Sequence, residues 1–229
     1  MKNREYSAKR RVVRILWALG AMGLLLPCSV PASAMRSEIV RAPASRATYV
    51  TSGAPWQEYS AQERMVVGFI PNPALMQARG WVEFDLSALP ADAVVEAAAL
   101  GMARHGDDGP INPRELLVID QGRPASLPGA RVTWDRIGGG GNTAGPVVAV
   151  LSPGLAGPMR DLTPLTTLPE LKTAIEQALR RDPRRLYLLL HSPEAEAQTE
   201  RGHYWRLGAA GDFRPILMLQ YASASTGEP

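Results

Sequence analysis

The segment "RGWVEFDLSALPADAVVEAAALGMA" (79–103) limits the folds open to this chain more than any other. In "WVEFDL" the residues Val82, Phe84 and Leu86 share one face, and Trp81, Glu83 and Asp85 share the other. A period of two, carried by β-branched and aromatic residues, predicts a half-buried strand. "SALPAD" (87–92) then supplies a turn, because Pro90 has no N–H to offer a ladder. Alternation resumes with Ala98, Leu100 and Met102 on one face. The expectation is a hairpin at the centre of the core.

Similar short runs recur with turn residues between them: "RATYVT" (46–51), "RMVVGFI" (64–70), "ELLVID" (115–120), "ARVTW" (130–134), "PVVAVL" (146–151), "RRLYLLLH" (184–191), "HYWRL" (203–207) and "RPILMLQY" (214–221). The chain holds 21 Gly and 20 Pro, many in short clusters, which favours short elements and turns. Many brief strands of this kind predict a β-sandwich or barrel. One segment differs. "TLPELKTAIEQALRR" (167–181) spaces Leu168, Leu171, Ile175 and Leu179 as a helix does. Thr167 and Glu170 have capping-box spacing, Pro169 suits the first turn, and Arg180 and Arg181 suit the last. The predicted class is all-β with one short helix laid over an end of the sandwich.

Residues 1–34 stand apart from that pattern. A basic stretch with Lys2, Arg4, Lys9, Arg10, Arg11 and Arg14 leads into the apolar run "ILWALGAMGLLL", and Ala32-Ser33-Ala34 closes it. These are the three parts of a secretory signal peptide. The apolar run is shorter than the ~20 residues a spanning helix needs. Cleavage after Ala34 is therefore expected, with 35–45 as an N-terminal linker, 46–221 as the domain and 222–229 as a flexible tail. Cys28 follows Pro27, where lipidation wants a small residue, and Arg14 interrupts a twin-arginine pattern. The predicted address is the periplasm, the cell surface or the medium, with no membrane contact after cleavage.

Removing the signal changes the charge. The whole chain carries 25 basic and 22 acidic residues; the mature part keeps 19 and 21, a net charge of −2. The basic balance belongs to the signal and gives no reason to expect a nucleic-acid partner. The single cysteine leaves too, so disulfides and thiolate metal sites are excluded from the mature chain.

At this point the residues resemble a family. Phe84-Asp85-Leu86, Pro90, Val95, Ala98, Leu100 and Met102 resemble the hallmark segment of DNRLRE-type domains of secreted bacterial and archaeal proteins. Thr133 and Trp134 resemble that family's Thr-Trp element, and Arg214, Pro215, Leu217 and Tyr221 its closing strand, in the same order. The resemblance covers about residues 46–221. It implies a jelly-roll-like β-sandwich akin to carbohydrate-binding modules, and no common catalytic residues. The Gly-rich insertion "GGGGNTAGP" (138–146) departs from the pattern, and no attached enzyme or stalk is expected.

Catalytic signatures are sparse. The sequence has no Gly-x-Ser-x-Gly elbow and no His-Glu-x-x-His, and "GGGGN" lacks the Lys-Ser/Thr of a phosphate loop. Hydrolysis by two carboxylates stays open as a third-ranked reading. Asp107, Asp108 and Asn112 in "HGDDGPIN" offer oxygen ligands suited to calcium, without EF-hand spacing; a plain surface turn is preferred. His191, Glu194, Glu196, Glu200 and His203 offer a zinc-like set, where a solvated loop is preferred. No cofactor and no metal site is predicted.

Sugars are held by exposed rings, with amides and carboxylates nearby for hydroxyls. Trp56, Gln57, Glu58 and Tyr59 lie in the polar loop "SGAPWQEYS", outside any strand pattern, and form the candidate ligand-binding set. Trp81 and Trp134 are assigned to the framework. The sequence thus predicts an exported non-catalytic protein that binds a glycan or surface polymer. A structural or adhesive component that pairs with other proteins is the alternative.

Overall fold

The structure is a computed structural model that describes residues 35–59, 63–70, 75–103, 116–124, 130–137, 145–151, 161–162, 169–197 and 204–224. Among the described residues, eleven strands build two antiparallel sheets. The smaller has the order β1-β11-β5-β8, from Met35–Pro43, Ile216–Ala224, Val94–Met102 and Asp161–Leu162. The larger runs β10-β3-β4-β9-β6-β7, from Tyr204–Gly208, Arg64–Ile70, Met76–Asp85, Arg185–His191, Leu117–Gln121 and Val147–Leu151. Strand β2 (Arg46–Thr51) adds to this sheet on β4. The fold is an all-β sandwich with curled sheets, as the alternation predicts.

Phe84, Val82 and Leu86 meet Leu186, Leu188 and Leu190 of β9 and Leu117 and Ile119 of β6 in one buried cluster. Ala98 and Leu100 of β5 and Leu217 and Leu219 of β11 bring the other sheet into that cluster. The predicted inner face of β4 is therefore the inner face. Helix α2 (Pro169–Leu179) buries Leu171, Ala174, Ile175, Ala178 and Leu179 and packs on β5 of one sheet and on β7 and β9 of the other. Pro169 opens its described span, and it closes at Leu179, short of Arg180 and Arg181, which the sequence places in the last turn; Thr167 and Leu168 lie outside the described residues. Two shorter helical turns, α1 (Trp134–Ile137) and α3 (Pro193–Ala197), were not predicted from spacing.

Several expectations need correction. The 79–103 segment is not a hairpin. β4 and β5 belong to different sheets, and residues 86–93 carry the chain from one to the other. Hairpin strands are joined most often by two to five residues. Here the connection is longer and anchored by buried Leu86 and Leu89, whose amides donate to Arg184 O and Leu86 O. Nor is β4 half-buried: Trp81 and Glu83 of its outer face are covered as well. Residues 35–43 form β1, paired with β11 along its whole length, where a linker was expected. Strand β11 continues to Ala224, three residues into the expected tail. "ARVTW" is no strand either; its Val132 and Trp134 are buried in an extended strap that ends in α1.

Gly80 fixes how β3 and β4 meet. A Cβ there would lie 2.6 Å from Met65 Sδ and 3.1 Å from Val67 Cγ2. β3 pairs with β4 only over Gly68–Ile70, and its earlier residues pair with β10 while packing close over Gly80. The glycine permits that approach.

Candidate binding loop over a second hydrophobic cluster

The outer face of the larger sheet carries its own small core. Val50 of β2, Trp81 of β4 and Leu189 of β9 are covered by Val132, Trp134 and Ile137 of the strap, with Tyr187 packed alongside. Trp81 donates its indole N–H to Arg123 O at 3.1 Å, and its ring lies 5.6 Å from that of Tyr187. A buried tryptophan needs such a partner for its one polar atom.

Two arginines clamp this cluster. The Arg46 guanidinium lies 5.5 Å from the Trp81 ring centre and that of Arg79 5.1 Å from the Trp134 ring centre. Each arginine is held in place by a carboxylate. Arg79 donates to both oxygens of Glu196, at 3.1 and 2.9 Å, which ties β4 to α3. Arg46 donates to Glu58 Oε1 through Nε at 3.1 Å and through Nη2, and to Ala130 O at 3.0 Å. Glu58 Oε2 accepts the Val132 amide at 2.9 Å. Each arginine thus links a tryptophan ring to a carboxylate.

The loop named by the sequence sits against this arrangement. Trp56 is 71% exposed, and Gln57 is exposed beside it. The other two candidates are used differently from what the sequence predicts. Glu58 is turned inward to Arg46 and Val132, so its carboxylate holds the fold and is not presented to a hydroxyl. Tyr59 stacks on Tyr49 with ring centres 4.4 Å apart and 11° between planes, and packs on the main core. Its ring is half-buried because a Tyr49 face beneath it offers an apolar partner. Of the two predicted rings, Trp56 is exposed and Tyr59 is half-buried. Sequence reasoning also missed Arg46 and Arg79, which read as ordinary surface charges at strand positions.

Other candidates are placed as follows. His191 Nε2 lies 2.8 Å from Asp120 Oδ2, close but not aligned as a hydrogen bond. Glu196 belongs to Arg79. Glu200 and His203 lie outside the described residues, as do Asp107, Asp108 and Asn112. No group of three or more metal-ligating side chains occurs among the described residues. Glu83 is paired with Arg185 at 2.6 Å and accepts from Ser45. Glu58, Glu83 and Glu196 each face an arginine.

Burial raises Tyr49 above its ordinary value near 10, with the neighbouring Tyr59 adding to it. Burial also raises Tyr187, with Glu83 second. Hydrogen bonds from the Ser87 side chain and backbone lower Asp85 below the usual carboxylate range. Among the described residues no helix is long and apolar enough to cross a membrane. Compared with models of known protein families and with curated proteins, the chain matches none.

Proposed function

We propose that the chain is an exported, non-catalytic protein that binds a glycan or surface polymer through the loop carrying Trp56. The observation that carries this reading is the exposure of an indole whose backbone neighbours are tied to the body of the protein. A large ring left in water on an anchored loop has a flat apolar face to offer a sugar. Gln57, exposed next to it, supplies an amide for hydroxyls. The three-part leader at 1–34 supports export. A glycan array probed with residues 35–229 tests the proposal. Wild-type protein should bind at least one printed glycan, and Trp56→Ala should lose that binding while keeping its melting temperature. Equal binding by both would move the site elsewhere.

A second reading has its own observation. Ile39 on β1, and Val147 and Val150 on β7, are exposed on strands that end the two sheet orders. End strands with apolar side chains are surfaces on which other chains can add. Under that reading the protein is a structural component that pairs with other proteins. Sedimentation velocity of residues 35–229 separates the two: a monomer that binds a glycan supports the first, and a concentration-dependent assembly that binds none supports the second.

A further inference from the structure

Trp56 stands between two sets of ties. Before it, the Ala54 amide donates to Thr51 Oγ1 at 3.3 Å, and Pro55 O accepts the Trp134 amide at 2.9 Å. After it, the Gln57 amide turns back to Ala54 O at 2.9 Å and the Tyr59 amide reaches Tyr49 O at 3.2 Å. Glu58 joins the two segments by side chain: one oxygen takes Arg46, the other takes the Val132 amide. The loop is thereby bound to a strap whose own tryptophan is fixed by Arg79. An exposed indole makes little use of such fixing for folding, since its ring buries little area. Fixing does matter for a ring that must meet a ligand, because a loop ordered in advance loses less freedom on binding.

The geometry points to Glu58, acting with Arg46, as a positioning residue that presents Trp56 in one orientation. Its role in recognition rests on the proposed function above; its role in placing the ring does not. Without the carboxylate, Arg46 keeps Ala130 O but loses its charged partner, the Val132 amide loses its acceptor, and the bond from the Trp134 amide to Pro55 O is left to tie loop to strap. The Trp56 ring then samples several orientations, although its own contacts are unchanged.

Residues 35–229 labelled with 5-fluorotryptophan provide the test by fluorine NMR. The Trp56 line is assigned by its loss in Trp56→Phe. Glu58→Ala and Arg46→Ala should each move this line toward the position of free 5-fluorotryptophan, with the fold intact by circular dichroism. The double variant should move it by less than the sum of the two single changes, because both remove the Arg46–Glu58 pair. If Glu58→Ala does not fold, Glu58→Gln keeps the volume and removes the charge, and a smaller shift in the same direction is expected. A Trp56 line that stays in place in a folded Glu58 variant overturns the proposal. The ligand arm uses an array of linear glucose, N-acetylglucosamine and mannose hexasaccharides. Glu58→Ala should weaken any binding seen by about 3- to 10-fold, the range expected for ordering one loop. A moved line with no binding by wild type upholds the positioning role and removes the glycan reading. An unmoved line, with binding that Trp56→Ala abolishes, does the reverse.

Discussion

Phe84 is the residue on which the inner face turns. It is fully buried, on the strand that lies between β2 on one side and β9 on the other, and it joins the cluster fed by both sheets. Phe84→Ala should cost about 3–5 kcal/mol, the range for emptying such a site, and a denaturant titration should show the midpoint fall without a change in slope. Tyr187 offers a second residue-level check, this time through pH. Its folded-state value is raised, by burial first and Glu83 second, above the ordinary value near 10. The folded state therefore keeps the phenolic proton longer than the unfolded state does. The sign follows: this contribution is whole below pH ~10 and is lost as pH rises through the folded value. Melting temperatures at pH 8 and pH 11 should fall further for wild type than for Tyr187→Phe, which has no proton to lose. The candidate site was only partly legible at this scale. The polar loop around Trp56 could be found from its lack of periodicity. That Glu58 would be taken by Arg46 and Tyr59 by Tyr49 could not, because both partners come from β2, and sequence spacing carries no record of which strand lies beneath a loop.

The strap is the element on which the outer face depends. Residues 130–137 have three of their side chains buried, yet they pair with no strand. Their backbone is satisfied piecemeal: Trp134 N by Pro55 O, Val132 N by Glu58, and Ala130 O by Arg46. Such a segment has few ways to compensate for a lost tie. Arg79→Ala removes the cation above Trp134 and leaves Glu196, largely buried, without its bidentate partner. A loss of about 1–3 kcal/mol is expected for charge-assisted hydrogen bonds of this kind. Hydrogen exchange should show the Trp134 and Ile137 amides opening more easily, with β9 unchanged. This arrangement also explains why the strap reads as a strand in the sequence. Arg131-Val132-Thr133-Trp134 has the period of two, since an extended segment alternates its side chains whether or not it has a neighbour to pair with. The same limit produced the hairpin expectation. Alternation fixed both β4 and β5 and their faces, but which sheet each joins depends on long-range pairing: β5 with β11, more than 100 residues away, and β4 with β9.

At the scale of the whole molecule, the two ends of the described chain close one sheet. β1 pairs with β11 from Met35↔Ala224 to Pro43↔Ile216, and β11 is the strand that separates β1 from β5. Val40 and Ala42 of β1 pack on the main core, and Tyr221 of β11 donates its hydroxyl to Glu38 at 2.9 Å. The short alternation of "SEIVRAP" gives little sign of this, because Ile39 on its outward side is as apolar as Val40 and is 65% exposed. The expected cleavage after Ala34 would leave the strand whole, whereas a domain boundary at 46 would remove it. The two boundaries make different proteins. A chain of residues 35–229 keeps the ladder; one of residues 46–229 leaves the nine residues of β11, Leu217 and Leu219 among them, as a bare edge. Exposed edges of that length invite other chains to pair. The shorter chain should therefore melt lower and sediment as aggregates, while the longer one remains folded. If the leader is cleaved as proposed, N-terminal sequencing of the mature protein should give Met35. A start inside residues 40–46 on a protein that still melts like the longer chain would show that β1 contributes little, and that β11 closes its sheet by other means.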